Sequence, residues 1–213
     1  YANGTEDNNT YFNRDWIYVN VTASDTNEVN ITFYLYNNTD NVNTTAFGPN
    51  NRSINFTSLD SNSVYYYNVT IEDKANNRNS TVTRIITLDT TAPVINSVEC
   101  SNDTAASWID CTTLLYGQNL THIRANCTDS SGINNLTYTL RNNPDDNVTI
   151  NSSSYNYSTT DWFVYNTSGH VFADSGAWNI TISCYDNVSL STTSLTNWTI
   201  AWGALQPFLT YPF

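Results

Sequence analysis

Asparagine amides are the groups in this chain best placed to do chemistry, because of their spacing from hydroxyl side chains. Twenty-one Asn-x-Ser/Thr triplets occur in 213 residues, and 16 of them end in Thr. In such a triplet the side-chain amide nitrogen accepts an N-linked glycan on a secreted chain, so the acceptor must face solvent. The acceptors in the first half are Asn3, Asn8, Asn20, Asn30, Asn37, Asn43, Asn51, Asn55, Asn68 and Asn79. Those in the second half are Asn102, Asn119, Asn126, Asn135, Asn147, Asn151, Asn156, Asn166, Asn179, Asn187 and Asn197. The chain holds 34 Asn and 53 Ser plus Thr. Random placement of those residues gives roughly 8 triplets, so the excess is more than twofold. The competing account is that Asn/Thr-rich composition creates idle triplets.

Groups suited to catalysis are sparse. His122 and His170 lie in different segments, and Ser168, His170 and Asp174 are neighbours in sequence without a nucleophile motif. Gly is scarce, at 7 residues, and no Gly-rich phosphate loop is present. Asp145 and Asp146 sit in an Asn/Pro-rich turn, where solvated turn chemistry explains them better than acid–base work. No enzyme is expected. The four cysteines contain no CxxC pair, which argues against zinc or thioredoxin-type chemistry. Their even number fits an oxidising compartment, and three pairings are open to them.

Hydrophobic residues make up 39% and charged residues only 12%, enough apolar material for a core and unlike a disordered stalk. A formal charge of −12 repels nucleic acid and anionic lipid, so neither is an expected partner. No run of about 18 apolar residues exists to span a membrane. The chain starts at Tyr1 rather than Met, so we expect a processed or excised segment whose export signal or anchor lies outside it.

The elements that must position these groups are strands. Ile17, Val19, Val21 and Ala23 alternate with polar residues or Tyr; so do Val29, Ile31, Phe33 and Leu35. Tyr67, Val69 and Ile71 repeat the pattern, as do Trp178, Ile180, Ile182 and Cys184. Period-two alternation predicts half-buried antiparallel strands with one wet face. The triplets are in phase with it: in 12 of 21 the middle residue is apolar, aromatic or Cys. On a strand, the acceptor Asn and its hydroxyl partner then share the wet face while the middle residue enters the core.

Two halves align. Thr22-Ala23-Ser24-Asp25 matches Asn126-Cys127-Thr128-Asp129, and Thr70-Ile71-Glu72-Asp73 matches Ser183-Cys184-Tyr185-Asp186. Between them, Leu88-Asp89-Thr90-Thr91-Ala92-Pro93-Val94-Ile95 resembles the junction between immunoglobulin-like repeats of prokaryotic surface proteins. The resemblance implies an all-β chain of two tandem immunoglobulin-like antiparallel sandwiches, residues 1–89 and 90–203, with a tail at 204–213. The matched segments are then the ends of the second and sixth strands, which face each other across the core. It therefore implies a Cys127–Cys184 bridge between sheets, leaving Cys100 and Cys111 to close a short loop. It also places Asp129 and Asp186 at the pole that receives the linker and its Asp89, similar to the calcium sites of cadherins, although the cadherin linker motif is absent. No cofactor is expected; turn formation by these side chains accounts for them, and a structural calcium at Asp89, Asp129 and Asp186 is the alternative.

The first domain lacks most of its first strand, and the tail carries a surplus. Pro207 to Phe213 followed by Tyr1 to Thr5 aligns with Pro93 to Thr104 without an insertion. Pro207, Phe208, Leu209, Tyr211 and Phe213 therefore form a candidate assembly tail that completes the first domain of the next unit. Strand addition of this kind is heterologous and makes an open polymer. The expected function is a structural subunit or repeat of a heavily N-glycosylated extracellular filament, sheath or cell-surface fibre, joined by strand exchange or covalent tandem repetition. Tandem domains, Asn/Thr richness and the linker look prokaryotic, and general glycosylation at this triplet then implies archaea. The alternative is an adhesin or receptor ectodomain binding a partner through loops, with Trp162-Phe163-Val164-Tyr165 as its best candidate.

Overall fold

A computed structural model describes residues 1–143, 158–159, 162–173 and 175–201. Asn147, Asn151, Asn156 and the tail residues Pro207, Phe208, Leu209, Tyr211 and Phe213 lie outside the described residues, as do the side chains of Asn166, Ser168 and Asp174. The chain is all-β, with no α-helix among the described residues, and divides into two compact units, Tyr1–Thr91 and Ala92–Phe213.

The first unit contains β1 (Thr10–Phe12), β2 (Ile17–Asn20), β3 (Glu28–Tyr36), β4 (Asn41–Phe47), β5 (Ser53–Phe56), β6 (Ser63–Asp73), β7 (Arg78–Ser80) and β8 (Arg84–Leu88). One sheet runs β1-β8-β6-β3-β4, with β7 on β6; the second is the pair β2-β5. Only β1 and β8 pair in parallel. The sheets share one core, in which Ile17 and Val19 of β2 and Phe56 of β5 meet Ile31, Phe33 and Leu35 of β3, Tyr67 of β6, and Ile86 and Leu88 of β8. Period-two alternation is the cause: Ile31, Phe33 and Leu35 have no exposed surface, while Thr32 and Tyr34 between them are half-buried.

Two details depart from the alternation read in sequence. Val29 is 42% exposed rather than a core residue. The β3–β6 register shifts between Glu28 and Asn30, and such a bulge reverses which residue faces inward. Glu28 takes the inner position, and its carboxylate accepts two bonds from the Arg52 guanidinium at 2.9 and 2.6 Å. Those bonds hold the Glu28 pKa below the usual carboxylate range. The other departure is β2, which ends at Asn20, so Ala23 lies beyond the strand.

The second unit contains β9 (Val94–Ser101), a 3-10 turn (Cys111–Thr113), β10 (Asn119–Thr128), β11 (Ile133–Asn143), β12 (Ser158–Thr159), β13 (Trp162–Val171), β14 (Gly176–Asp186) and β15 (Ser191–Ile200). Its sheets are β12-β13-β10-β9 and β11-β14-β15, all antiparallel. Two short strand sets closing over one core in this order form an immunoglobulin-like sandwich. Cys127 on β10 and Cys184 on β14 bridge the two sheets with Cα atoms 6.6 Å apart, and Cys100 on β9 joins Cys111 in the turn at 4.9 Å. Phe172 packs edge-on against Trp178 and Trp198, with centroids 4.8 and 5.9 Å away. These rings belong to the second core, and Phe33 and Tyr67 to the first.

Candidate functional site

The glycan acceptors are distributed over both units rather than gathered at one place. None of the 17 acceptors whose burial is described is buried, whereas Asn142, which begins no triplet, is 7% exposed. In nine triplets the middle residue is buried: Val21, Ile31, Phe56, Val69, Leu120, Cys127, Leu136, Ile180 and Trp198. The strand pleat explains this pairing of a wet acceptor with an inward neighbour. In three triplets the terminal Thr hydroxyl donates to the acceptor's own Oδ1: Thr32 to Asn30 at 3.4 Å, Thr39 to Asn37 at 3.1 Å and Thr45 to Asn43 at 2.7 Å. Asn119 is the least open acceptor. Its Oδ1 is buried without a hydrogen bond, and its amide lies so close to Gly169 that a Cβ there would meet it at 3.2 Å.

The three aspartates expected at a calcium site each cap a turn. Asp89, at the end of the first unit, is fully buried, and its Oδ1 accepts from the Thr91 amide and hydroxyl at 3.0 and 2.9 Å. Asp129 accepts in the same way from Ser131 at 2.8 Å, and Asp186 from the amides of Val188 and Leu190 at 2.8 Å. The second unit brings carboxylate oxygens of Asp129 and Asp186 within 4.8 Å of each other, and Oδ2 of the buried Asp186 has no hydrogen-bond partner. Two carboxylates so placed offer a cation hard oxygen ligands, though fewer than the six or more that calcium takes. The corresponding pair in the first unit, Asp25 and Asp73, is arranged differently. Asp73 accepts from the Asn77 side-chain amide at 2.8 Å, and the bonds from Asn77 hold its carboxyl pKa below the usual range.

The histidines form no catalytic array among the described residues. Both lie on the paired strands β10 and β13, where Leu120 stands opposite His170 and His122 opposite Asn166. His170 packs edge-on against Phe172 and at a tilt against Trp178, with centroids 5.3 and 5.1 Å away. In the Tyr65–Tyr67 run, Tyr65 and Tyr67 enter the core, consistent with packing. Burial raises the Tyr67 pKa to about 12.

The edge of the first unit where the sequence leads us to expect an incomplete first strand carries a groove. Val21, Ala23, Ile31, Val69 and Ile71, together with Thr22, the acceptor Asn79, Ser80 and Thr81, line this groove of about 130 Å³ beyond the end of β2. Ala23 and Ile71 there occupy the positions that Cys127 and Cys184 hold in the second half.

No family model and no curated protein matches the sequence. Among solved structures, the fibronectin(III)-like modules of Clostridium thermocellum CbhA overlap it at 14% identity and a TM-score of 0.35, covering 90% of this chain and 87% of that one. The FN1–FN3 domains of chicken CNTN1 overlap at 9% identity and a TM-score of 0.36, covering 93% and 67%. The fold assignment rests on the strand order and register above.

Proposed function

We propose that the chain is a structural, non-catalytic unit of a heavily N-glycosylated extracellular filament, sheath or surface fibre, built from identical units head to tail. The observation that carries this reading is the phase of the acceptors: each described one reaches the surface, and in nine triplets the residue beside it is buried. A protein with only 12% charged residues has few ionic groups to keep it hydrated, and surface carbohydrate supplies that hydration. Two disulfides fit a compartment outside the reducing cytosol, and no helix among the described residues is long and apolar enough to cross a membrane. The archaeal assignment stands on the linker resemblance combined with general use of the Asn-x-Ser/Thr signal.

Intact-mass measurement of the native material tests the reading. The mass should exceed that of the polypeptide by many sugar units, and site mapping should place glycans on Asn30, Asn68 and Asn179, with Asn119 least occupied. A mass equal to the bare chain would defeat it.

A further inference from the structure

Three tyrosines on the outer face of the first unit surround one acceptor. On β3, Phe33 and Leu35 are buried, while Tyr34 and Tyr36 are half-buried on the opposite face. On β6, Tyr65, Tyr67 and Val69 are buried, while Tyr66 and Asn68 are half-buried on the outer face. The antiparallel register sets Tyr34 opposite Asn68 and Tyr36 opposite Tyr66. The four side chains therefore form the corners of a rectangle, three of them rings and the fourth an acceptor amide. In such a pair, facing Cβ atoms are about 5 Å apart and diagonal ones about 7–8 Å, so each ring is within reach of a sugar on Asn68. Asn30 and Asn179 lack this setting: Asn30 stands opposite Glu72, and Asn179 lies between Arg141 and Asn197.

The rings and the amide are already oriented. Tyr34 and Tyr36 are within 8° of parallel, with centroids 6.2 Å apart. Tyr66 is held at its far end, where its hydroxyl donates to Asn38 Oδ1 at 2.9 Å. Asn68 Nδ2 donates to Thr83 Oγ1 at 3.3 Å, and Thr83 precedes β8, on the side of β6 away from β3. Glycosylation replaces one of the two amide hydrogens and leaves the other to donate. With that N–H on Thr83, the bond to the sugar leaves from the other side of the nitrogen, towards Tyr34.

Resting on the glycosylation proposed above, we infer that Tyr34, Tyr36 and Tyr66 are a carbohydrate-binding platform for the first sugars of the Asn68 glycan. A pyranose ring is amphipathic: hydroxyls line its edge, and its faces carry C–H bonds of partial positive charge. The face of an aromatic ring carries the negative part of its quadrupole, so the two surfaces attract and exclude water from each other. Phenol hydroxyls at the rim of the platform can donate to or accept from the sugar hydroxyls. The covalent tether holds the sugar at high effective concentration over these rings, so a contact too weak for a free sugar becomes populated. Docked in this way, the glycan covers half-buried aromatic surface and lies along the sheet instead of projecting from it. The competing account is that the tyrosines pack only against one another, and it predicts no response to the glycan.

Full chain made in a glycosylating host tests this, with site mapping to establish occupancy at Asn68. In NMR spectra, the C–H protons of the sugar on Asn68 should be displaced upfield of those on Asn30 and Asn179, because they lie over ring faces. Tyr34→Ala combined with Tyr66→Ala should abolish that displacement. Thr70→Ala removes the Asn68 glycan while leaving Asn68 in place, and its lost bond to Ser80 is lost equally in protein made without glycosylation. In unfolding of the first unit, Thr70→Ala should therefore lower the folded-to-unfolded ratio about threefold or more beyond its effect in the unglycosylated chain. On the double-tyrosine background that excess should vanish. The wild-type spectra need no substitution, so that arm holds even if the tyrosine variant fails to fold. An occupied Asn68 whose sugar protons match those on Asn179, or a glycan effect indifferent to the tyrosines, would overturn the inference and leave the glycoprotein reading intact. A bare Asn68 in a chain glycosylated elsewhere would do the same, whereas a chain bare throughout would defeat both.

Discussion

Removing the inter-sheet disulfide should destabilise the second unit alone, by an amount set by its loop. Cys127 and Cys184 are 57 residues apart in sequence. In the chain-entropy account, opening a loop of that length restores denatured-state freedom equivalent to about 4 kcal/mol. Replacing the pair by Ala would add a packing loss and blur the result. The first unit suggests a cleaner substitution, because it places Ala23 and Ile71 at the same positions; Cys127→Ala with Cys184→Ile therefore removes the cross-link while keeping apolar side chains there. For a unit of this size, about 4 kcal/mol corresponds to a fall in melting temperature of roughly 10–20 °C. Tryptophan fluorescence reports the loss selectively: Trp16 belongs to the first unit and Trp108, Trp162, Trp178, Trp198 and Trp202 to the second. Amide exchange at Ile31 and Tyr67 should meanwhile stay unchanged, since the first unit contains no cysteine. A fluorescence midpoint within a few degrees of wild type, or faster exchange at Ile31 and Tyr67, would refute the reasoning.

Alkaline pH should weaken the first unit through Tyr67, whose phenol is raised to about 12 by burial. The unfolded chain loses this proton near 10, so stability is intact below that pH and falls as pH rises towards 12. Tyr67→Phe should flatten that decline, and an unchanged slope in the variant would remove Tyr67 as its cause. For the acidic pair we propose a calcium ion held by Asp129 and Asp186 with further oxygen ligands: calcium should raise the melting temperature of the second unit, chelator should lower it, and Asp186→Asn should abolish the response. A melting curve indifferent to chelator would dismiss the ion and leave the turn-capping role that Asp129 and Asp186 already perform.

Much of the fold was readable because the pleat imposes a strict period. Ile31, Phe33 and Leu35, or Trp178, Ile180, Ile182 and Cys184, announce an inward face whatever lies opposite them, and each is buried. Val29 faces out because a bulge depends on the partner strand: the register shifts between Glu28 and Asn30, and Glu28 turns inward, where Arg52 meets its carboxylate. The aspartates were identifiable as strand ends. That Asp129, Asp186 and Asp89 each spend one oxygen on the turn that follows is a matter of local backbone conformation, which spacing does not specify.

By itself, the order of residues determined the all-β class, the inward and outward faces, and the surface position of the acceptor amides, since each follows from local alternation. It also contained the match between Pro207–Phe213 and the start of β9. Which strand edge is covered and which is open depends on pairings between distant segments. Only the tertiary structure decided that β10 has β9 on one edge and β13 on the other, while β2 pairs with β5 and meets Ala2 and Thr5 on its second edge. The physical reason is that a strand's hydrogen-bonding groups lie in the plane of the sheet, at right angles to the side chains whose pattern the sequence displays.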